Sequence, residues 1–341
     1  MSALHDTARA LVAPGQGILA ADESTGTIAK RFDSMGVAST EETRRRYRQL
    51  LFTTLGLEEH ISGVILFDET IRQADEDGTP FVTVLERSGV IPGIKVDTGA
   101  KPLAAFPGET ITEGLDGLRE RLAEYHGLGA RFAKWRATII IGDGLPTAFA
   151  RIANGHAMAR YAALCQEAGI VPIVEPEILM DGDHDLAACE AATADTLDAV
   201  YAQMAHHRVD LAGTLLKVNM VVPGAGSAIQ ADDATIAAAT LRTLSAHVPA
   251  EVPGVVFLSG GMSDEQATSR LQEMHHQGGL GATAQALSFS YGRALQAPSL
   301  RAWGGEEANV EAAQKALAHR ARMNGLARDG RYAPELEGSA A

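Results

Sequence analysis

The chain has 341 residues, is rich in alanine and glycine, and carries a formal net charge of -14. Nucleic acid and anionic membrane surfaces are excluded as main partners, because both require a basic footprint on the protein. The charge does not exclude a small anionic substrate, since screening over about 8 Å lets a local cationic pocket act independently of the net charge.

The amino terminus carries no sustained apolar segment, and no stretch approaches the roughly 18 to 20 apolar residues of a membrane-spanning helix. Both cysteines, Cys165 and Cys189, lie in segments of helical periodicity and outside any metal-ligand spacing. We interpret them as free core thiols of a soluble, cytoplasmic protein, because disulfides are rare in reducing compartments. A plastid form whose leader has been removed would have the same sequence features.

Short apolar runs recur along the chain, and segments with helical spacing of apolar residues separate most of them. A continuous apolar run followed by an amphipathic helix is typical of a parallel βα unit. The eight runs cover residues 17–24, 61–69, 91–97, 130–141, 170–179, 213–221, 254–261 and 286–292.

No low-complexity linker or charge block divides these units, so we predict a single-domain (β/α)8 TIM barrel over residues 1–341. A final helix is expected from near Glu306, and the end of the chain is expected to form a flexible tail. The alternative, an open doubly wound sheet, is less favoured because no GxGxxG motif opens a helix after the first run.

Most of the eight runs carry polar residues near their carboxyl ends. Residues two apart share one face of a strand, and barrel enzymes build their sites at the carboxyl ends of the strands. We therefore expect a ring of acids and bases at this mouth, although solvated side chains, helix caps or structural ion pairs remain alternatives. The residues concerned are Asp22, Asp68, Lys95, Asp97, Lys134, Arg136, Glu175, Glu177, Lys217 and Ser259.

Lys217 stands out, because it follows Leu215 and Leu216 in the apolar segment GTLLKVNM. Burial disfavours the charged form of an amine, and a neutral amine attacks carbonyl carbon to form an imine. An imine withdraws electrons from the adjacent carbon, as aldol cleavage requires, and Glu175, Glu177 and Asp22 offer acid and base groups. By its sequence context alone, Lys217 is more typical of a structural ion pair than of a nucleophile.

Three loops suggest phosphate binding. SGG (259–261) and YGR (291–293) follow the last two runs, where barrels commonly bind phosphate, and Arg293 adds a bidentate donor. DESTGTIAKR (22–31) places Ser24, Thr27, Lys30 and Arg31 after the first run, although Ser24 could instead cap the next helix. DGDHDL (181–186) lacks the glycine and glutamate of a calcium loop, so no metal is inferred.

Taken together, these motifs resemble the class I fructose-bisphosphate aldolases, the Schiff-base enzymes of glycolysis and gluconeogenesis. The resemblance extends from about Leu11 to Tyr332 and leaves residues 333–341 as a tail. The motifs are APGQGILAADESTGTIAKR, GVILFDET, GIKVD, RFAKWR, GIVPIVEPEIL, DGDHDL, GTLLKVNMV, FLSGG and SYGRALQ.

The resemblance implies a lyase that cleaves fructose 1,6-bisphosphate reversibly to dihydroxyacetone phosphate and glyceraldehyde 3-phosphate. It implies a homotetramer that needs no metal and no cofactor. By the same resemblance Lys217 forms the Schiff base, Glu175 is its acid and base, and Asp22 deprotonates the C4 hydroxyl. The remaining implied site residues are Glu177, Lys134 and Lys95 in the charged pocket, Arg136 on the phosphate side, Ser259, Gly260, Gly292 and Arg293 at the C1 phosphate, and Ser24, Thr27 and Arg31 towards the C6 phosphate.

The sequence departs from the family pattern at three places. Thr27 stands where many relatives have serine, Val218 stands where animal members commonly have proline, and the final residues GSAA lack the terminal tyrosine that assists enamine protonation in animal enzymes. Two alternatives stay open at this stage: a Schiff-base enzyme for a shorter sugar phosphate, and a sugar-phosphate-binding protein without catalysis.

Overall fold

Eight parallel strands close into a barrel in the computed structural model, which describes residues 2–281 and 285–338. Each of the eight predicted runs contains one barrel strand, so the TIM barrel is confirmed and the open sheet is wrong. The barrel strands, in the order in which they pair, are β1 (Gly17–Ala20), β10 (Ala286–Tyr291), β9 (Gly254–Phe257), β8 (Leu215–Val218), β7 (Val171–Ile178), β6 (Phe132–Ile139), β3 (Ile91–Lys95) and β2 (Ile61–Leu66), which pairs again with β1.

Helices surround the barrel. Within the described ranges they are α1 (Ala3–Ala10), α2 (Thr25–Asp33), α3 (Glu41–Phe52), α4 (Asp68–Ile71), α5 (Phe81–Arg87), α6 (Leu118–Gly127), α7 (Ala148–Glu167), α8 (Leu186–His206), α9 (Asp233–His247), α10 (Asp264–His276), α11 (Arg293–Trp303) and α12 (Val310–Arg328). The carboxy-terminal helix predicted from near Glu306 is α12, and it packs against α10 and α11.

Side-chain caps fix where several of these helices begin. Asp185 accepts the backbone N–H of Ala188 at the start of α8, 2.8 Å away, and Ser263 forms a capping box with Gln266 at the start of α10. Such caps satisfy the free N–H groups of a first turn and cost about 1 kcal/mol to remove. They set the point at which each loop after a strand ends and the next helix begins.

The floor of the barrel is apolar. Phe132, Ile173 and Leu215 are fully buried in one cluster inside the barrel, which α1 and the residues after it close from below. Gly93 leaves room for the ring of Phe132, because a Cβ on Gly93 would lie 2.3 Å from the ring. Since side chains two apart share a face, the next inward positions after these three residues lie one layer higher, towards the mouth.

A second, two-stranded antiparallel sheet lies beside the barrel; in chain order it follows β3 and precedes β6, which pair directly with each other in the barrel. It consists of β4 (Gly99–Pro102) and β5 (Thr110–Glu113). This hairpin was not predicted from the sequence, because most of its residues are exposed or half-buried and form no apolar run.

Both cysteines are buried and free, as expected. Residues 334–338 of the predicted tail form a short 3-10 helix, and Glu337 accepts from Arg320 at 2.6 Å. The tail residues 339–341 lie outside the described part of the chain. Across residues 2–281 and 285–338, every helix is too short or too polar to span a bilayer.

Candidate active site

A cavity of about 520 Å³ opens at the carboxyl ends of the barrel strands. The fourteen predicted site residues all line it: Asp22, Ser24, Thr27, Arg31, Lys95, Lys134, Arg136, Glu175, Glu177, Lys217, Ser259, Gly260, Gly292 and Arg293. Lys30 lines it as well. The expectation that Asp68 joins this ring is wrong, because Asp68 begins α4 and accepts hydrogen bonds from Arg72 and from Tyr125.

The inward alternation of the strands produces the central charges. Lys134 lies two residues after Phe132, Glu175 two after Ile173, and Lys217 two after Leu215. Each step of two replaces an apolar side chain of the floor by a charged one on the same face.

A chain of ion pairs joins these charges across the cavity. The Nζ of Lys217 lies 3.1 Å from Oε1 of Glu175, whose Oε2 lies 3.2 Å from Nζ of Lys134. The same Nζ of Lys134 lies 2.8 Å from Oδ2 of Asp22. All four side chains are at most 13 % exposed, so solvent screens their interactions weakly.

The two carboxylates of this chain are held in the ionised form. Burial alone would raise the pKa of Asp22, but the ammonium groups of Lys134 and Lys217 outweigh it and keep that pKa well below its ordinary value. The pKa of Glu175 is lowered in the same way, with burial opposing Lys134 and Lys217. Burial would lower the pKa of Lys134, but the carboxylates of Asp22 and Glu175 raise it above its ordinary range.

Further pairs balance the charges around the centre. Lys95 lies 3.2 Å from Asp97, which also accepts the backbone N–H of Arg136. The guanidinium of Arg136 donates to Glu177 and has a pKa above its ordinary range, because Glu177 outweighs the cost of burial. The central charges therefore compensate one another: Lys95, Lys134, Arg136 and Lys217 against Asp22, Asp97, Glu175 and Glu177.

Two loops form one wall of the cavity, after β9 and β10. Gly260 has φ of +49°, a conformation that side-chain-bearing residues rarely adopt, and its carbonyl accepts from Arg293. The neighbouring N–H of Gly261 donates to the sulfur of Met180 at 3.2 Å. Because α11 begins at Arg293, its unpaired first N–H groups and the guanidinium form an anion-binding corner.

The residues after β1 form the adjoining wall, because β1 pairs with β10. Ser24 caps α2 by accepting the N–H of Thr27, and it also lines the cavity, so the capping and binding interpretations are compatible. Arg31 projects from α2 and donates to Glu23. Residues Glu23 and Ser34 line the cavity too, and the sequence analysis did not select either one. For Glu23, the sequence signal for a place at the cavity was its position directly after Asp22.

The arrangement combines a buried amine, a carboxylate within reach of that amine, a second carboxylate across the cavity, and cationic loops on two walls. These groups can form and hydrolyse an imine, move protons beside it, and hold anionic groups at both ends of a short substrate.

Comparisons with known proteins agree with this chemistry. A sequence model of the family described as "Fructose-bisphosphate aldolase class-I" matches residues 3–341. A "Probable fructose-bisphosphate aldolase class 1" of Xanthomonas campestris pv. campestris is 54% identical over 330 residues, which are 96% of this chain and 98% of the relative. Fructose-bisphosphate aldolase C of Rattus norvegicus is 51% identical over 339 residues, which are 99% of this chain and 93% of the relative.

A solved structure extends the similarity to three dimensions. It is a fructose-bisphosphate aldolase from Plasmodium falciparum in complex with TRAP and a small-molecule inhibitor. Its TM-score with this chain is 0.95 at 46% identity, with 97% of this chain and 95% of that chain covered.

Proposed function

Because the chain belongs to the class I fructose-bisphosphate aldolase family, it is a lyase that cleaves fructose 1,6-bisphosphate, and we propose that Lys217 is its Schiff-base residue. The products are dihydroxyacetone phosphate and glyceraldehyde 3-phosphate. The observation that carries the assignment is the 3.1 Å contact between the buried amine of Lys217 and Glu175.

Imine formation uses this contact. Glu175 accepts a proton from the ammonium of Lys217, and the freed amine attacks the C2 carbonyl carbon of the ketose. Glu175 then returns a proton to the hydroxyl of the carbinolamine, which leaves as water and gives a protonated imine. Lys134, which is 3.2 Å from Glu175, stabilises the carboxylate form of Glu175 before the first transfer and after the second.

Carbon–carbon cleavage uses Asp22. Its carboxylate takes the proton of the C4 hydroxyl, the C4 oxygen forms the aldehyde, and the electron pair of the C3–C4 bond moves into the imine to give an enamine. Glyceraldehyde 3-phosphate leaves, the enamine is protonated at C3, and hydrolysis releases dihydroxyacetone phosphate from Lys217. Because the pKa of Asp22 is held low by Lys134, the base is ionised at neutral pH.

In this proposal the two phosphates bind to neighbouring walls of the cavity, after the paired strands β1 and β10. Ser259, Gly260, Gly292 and Arg293 hold the C1 phosphate, while Ser24, Thr27 and Arg31 lie beside the C6 phosphate. Lys95 and Glu177 complete the charged pocket around the sugar, and Arg136 contributes on the phosphate side. The support is that all these residues line one cavity, with cations on both walls.

A cleavage assay tests the proposal. Release of glyceraldehyde 3-phosphate is measured for the wild type and for Lys217→Met, with Lys101→Met, an exposed position on β4, as the control. We expect Lys217→Met to fall to background and Lys101→Met to retain wild-type activity. EDTA should leave the wild type unchanged, because the imine is the electron sink. Cleavage by Lys217→Met at the wild-type rate would overturn the role of Lys217.

We also propose a single catalytic domain that assembles as a homotetramer in the cytoplasm. The match to the family over residues 3–341 supports one domain. Phe149 and Ile152 expose about half of their surface on α7, and Phe149 stacks on Phe106, a patch suited to a subunit contact. An Arabidopsis thaliana relative, 53% identical over 94% of this chain and 81% of its own length, is named as cytosolic. Light scattering tests the tetramer, which predicts four times the monomer mass.

A further inference from the structure

A buried arginine lies behind the wall proposed for the C6 phosphate. Arg48 is on α3, its side chain is 3% exposed, and its Nη2 donates to Oε2 of Glu23 at 2.7 Å. The other oxygen of Glu23, Oε1, accepts from Nη1 of Arg31. One carboxylate therefore joins an arginine that lines the cavity to an arginine that does not.

Other contacts fix this carboxylate in place. Gln296, on α11, donates to Oε1 of Glu23 at 2.8 Å and to the carbonyl of Ala20, at the end of β1, at 2.6 Å. Glu23 is thus bound to three separate helices. Arg31, with 23% of its side chain exposed, is the member of the three charges that meets solvent in the cavity.

The group of three contains two positive charges, on Arg31 and Arg48, and one negative charge, on Glu23. Arg31 paired with Glu23 alone would be electrically neutral, and its attraction for a phosphate would be largely cancelled. Arg48 adds a second positive charge to the same carboxylate, so the group of three keeps a net charge of +1 next to the cavity. The pKa of Glu23 is lowered, because the attraction of Arg48 and Arg31 outweighs burial, so the carboxylate stays ionised.

A purely structural explanation is weak. Burying an ion costs several kcal/mol, and replacing a buried ion pair by apolar residues is often neutral or stabilising. The Nη1 of Arg48 has, moreover, no hydrogen-bond partner among the described residues. An apolar side chain at position 48 would avoid both costs, so the charge at this site points to a role beyond packing.

We propose that Arg48 is a positioning residue for the C6 phosphate: it holds Glu23 so that Arg31 keeps a fixed orientation and a net positive charge towards the substrate. The inference rests on the proposed function, in which Arg31 lies beside that phosphate. It predicts that replacing Arg48 lowers kcat/KM for the bisphosphate but not for a substrate without a C6 phosphate.

The test compares kcat/KM for fructose 1,6-bisphosphate with kcat/KM for fructose 1-phosphate in matched variants. Arg48→Gln removes the charge and retains a donor, whereas Arg48→Lys retains the charge. We expect Arg48→Gln to lower the ratio of the two values about tenfold, as for loss of a charge-assisted contact, and Arg48→Lys to restore most of it. Arg320→Met, which removes another buried, carboxylate-paired arginine that does not line the cavity, should leave the ratio unchanged.

Arg31→Ala separates the two claims. If it lowers the ratio while Arg48→Gln leaves the ratio at the wild-type value, the positioning role of Arg48 is wrong and the proposed C6 site stands. If Arg31→Ala leaves the ratio unchanged, the proposed C6 site is wrong, and the inference with it. Should Arg48→Gln not fold, Glu23→Asp withdraws the carboxylate while keeping all three charges, and an unchanged ratio there overturns the inference.

Discussion

At the scale of single residues, Glu175 is the shared partner of two ammonium groups. It lies 3.1 Å from the amine of Lys217 and 3.2 Å from that of Lys134. Because both contacts are buried, removal of the carboxylate leaves the ammonium of Lys217 without its paired carboxylate, whereas Lys134 keeps its contact with Asp22. Glu175 therefore balances the local charges of the site, in addition to the proton transfers proposed for it.

Glu175→Gln tests the chemical role. The amide cannot transfer the protons of imine formation and dehydration, so we expect kcat for cleavage to fall by roughly 10² to 10⁴. Single-turnover trapping of the imine should slow by a similar factor, because the affected step precedes bond cleavage. Wild-type rates of imine formation in Glu175→Gln would contradict the assignment.

Asp22→Asn should separate imine formation from carbon–carbon cleavage. Asp22 contacts Lys134 at 2.8 Å, whereas the carboxylate beside Lys217 is Glu175. We expect cleavage of the bisphosphate to fall by roughly 10² to 10⁴ while the imine with dihydroxyacetone phosphate still forms. Rapid-quench kinetics measure the rates of imine formation and of cleavage separately. If Asp22→Asn slows both steps equally, Asp22 does not act only as the base for the C4 hydroxyl.

The sequence predicted the central residues because charge interrupts apolar strands with a period of two. Lys134, Glu175 and Lys217 are recognisable on that basis. Arg48 is not, because its partner Glu23 lies 25 residues earlier, and contact depends on how α3 packs. Asp68 was misassigned because strand β2 ends two residues before it, and a helix start also favours an acidic residue.

At the scale of elements, the strands were predictable because burial on both faces produces continuous apolar runs. The hairpin of β4 and β5 was not, because hydrogen bonds to the barrel hold it more than apolar burial does. Thr112, for example, donates its hydroxyl to the carbonyl of Arg136 at 2.8 Å.

Gly93→Ala tests the packing of the barrel floor. The new Cβ would overlap the ring of Phe132, so we expect a loss of about 1–3 kcal/mol in the free energy of unfolding. Gly127→Ala is the matched control on α6, because an added Cβ there would have open space around it. We expect this variant to gain up to about 1 kcal/mol in the free energy of unfolding. Urea denaturation measures both variants against the wild type. If Gly93→Ala is as stable as the wild type, the floor tolerates an added methyl group.

At the scale of the whole molecule, the ion-pair chain links stability to pH. The folded-state pKa values of Asp22 and Glu175 lie below their ordinary values of 3.8 and 4.5. Such groups stabilise the protein above their unfolded pKa, and this contribution is lost as pH falls through the folded pKa. The raised pKa of Lys134 acts in the opposite direction and matters only in strong alkali.

We therefore expect Asp22→Asn to be less stable than the wild type at pH 7, by about 2 kcal/mol, and the difference to shrink as the pH falls below about 4. Urea denaturation between pH 7 and pH 2.5 measures this difference. A gap that is constant over this range would mean that the charge of Asp22 contributes nothing to stability.

Lys217 is the residue proposed to carry the covalent intermediate. The most direct measurement is reduction of the protein with borohydride in the presence of dihydroxyacetone phosphate, followed by peptide mass mapping. We expect one label per chain, on Lys217, with loss of activity in proportion to labelling. A label on Lys134 or Lys95, or inactivation without any label, would contradict it.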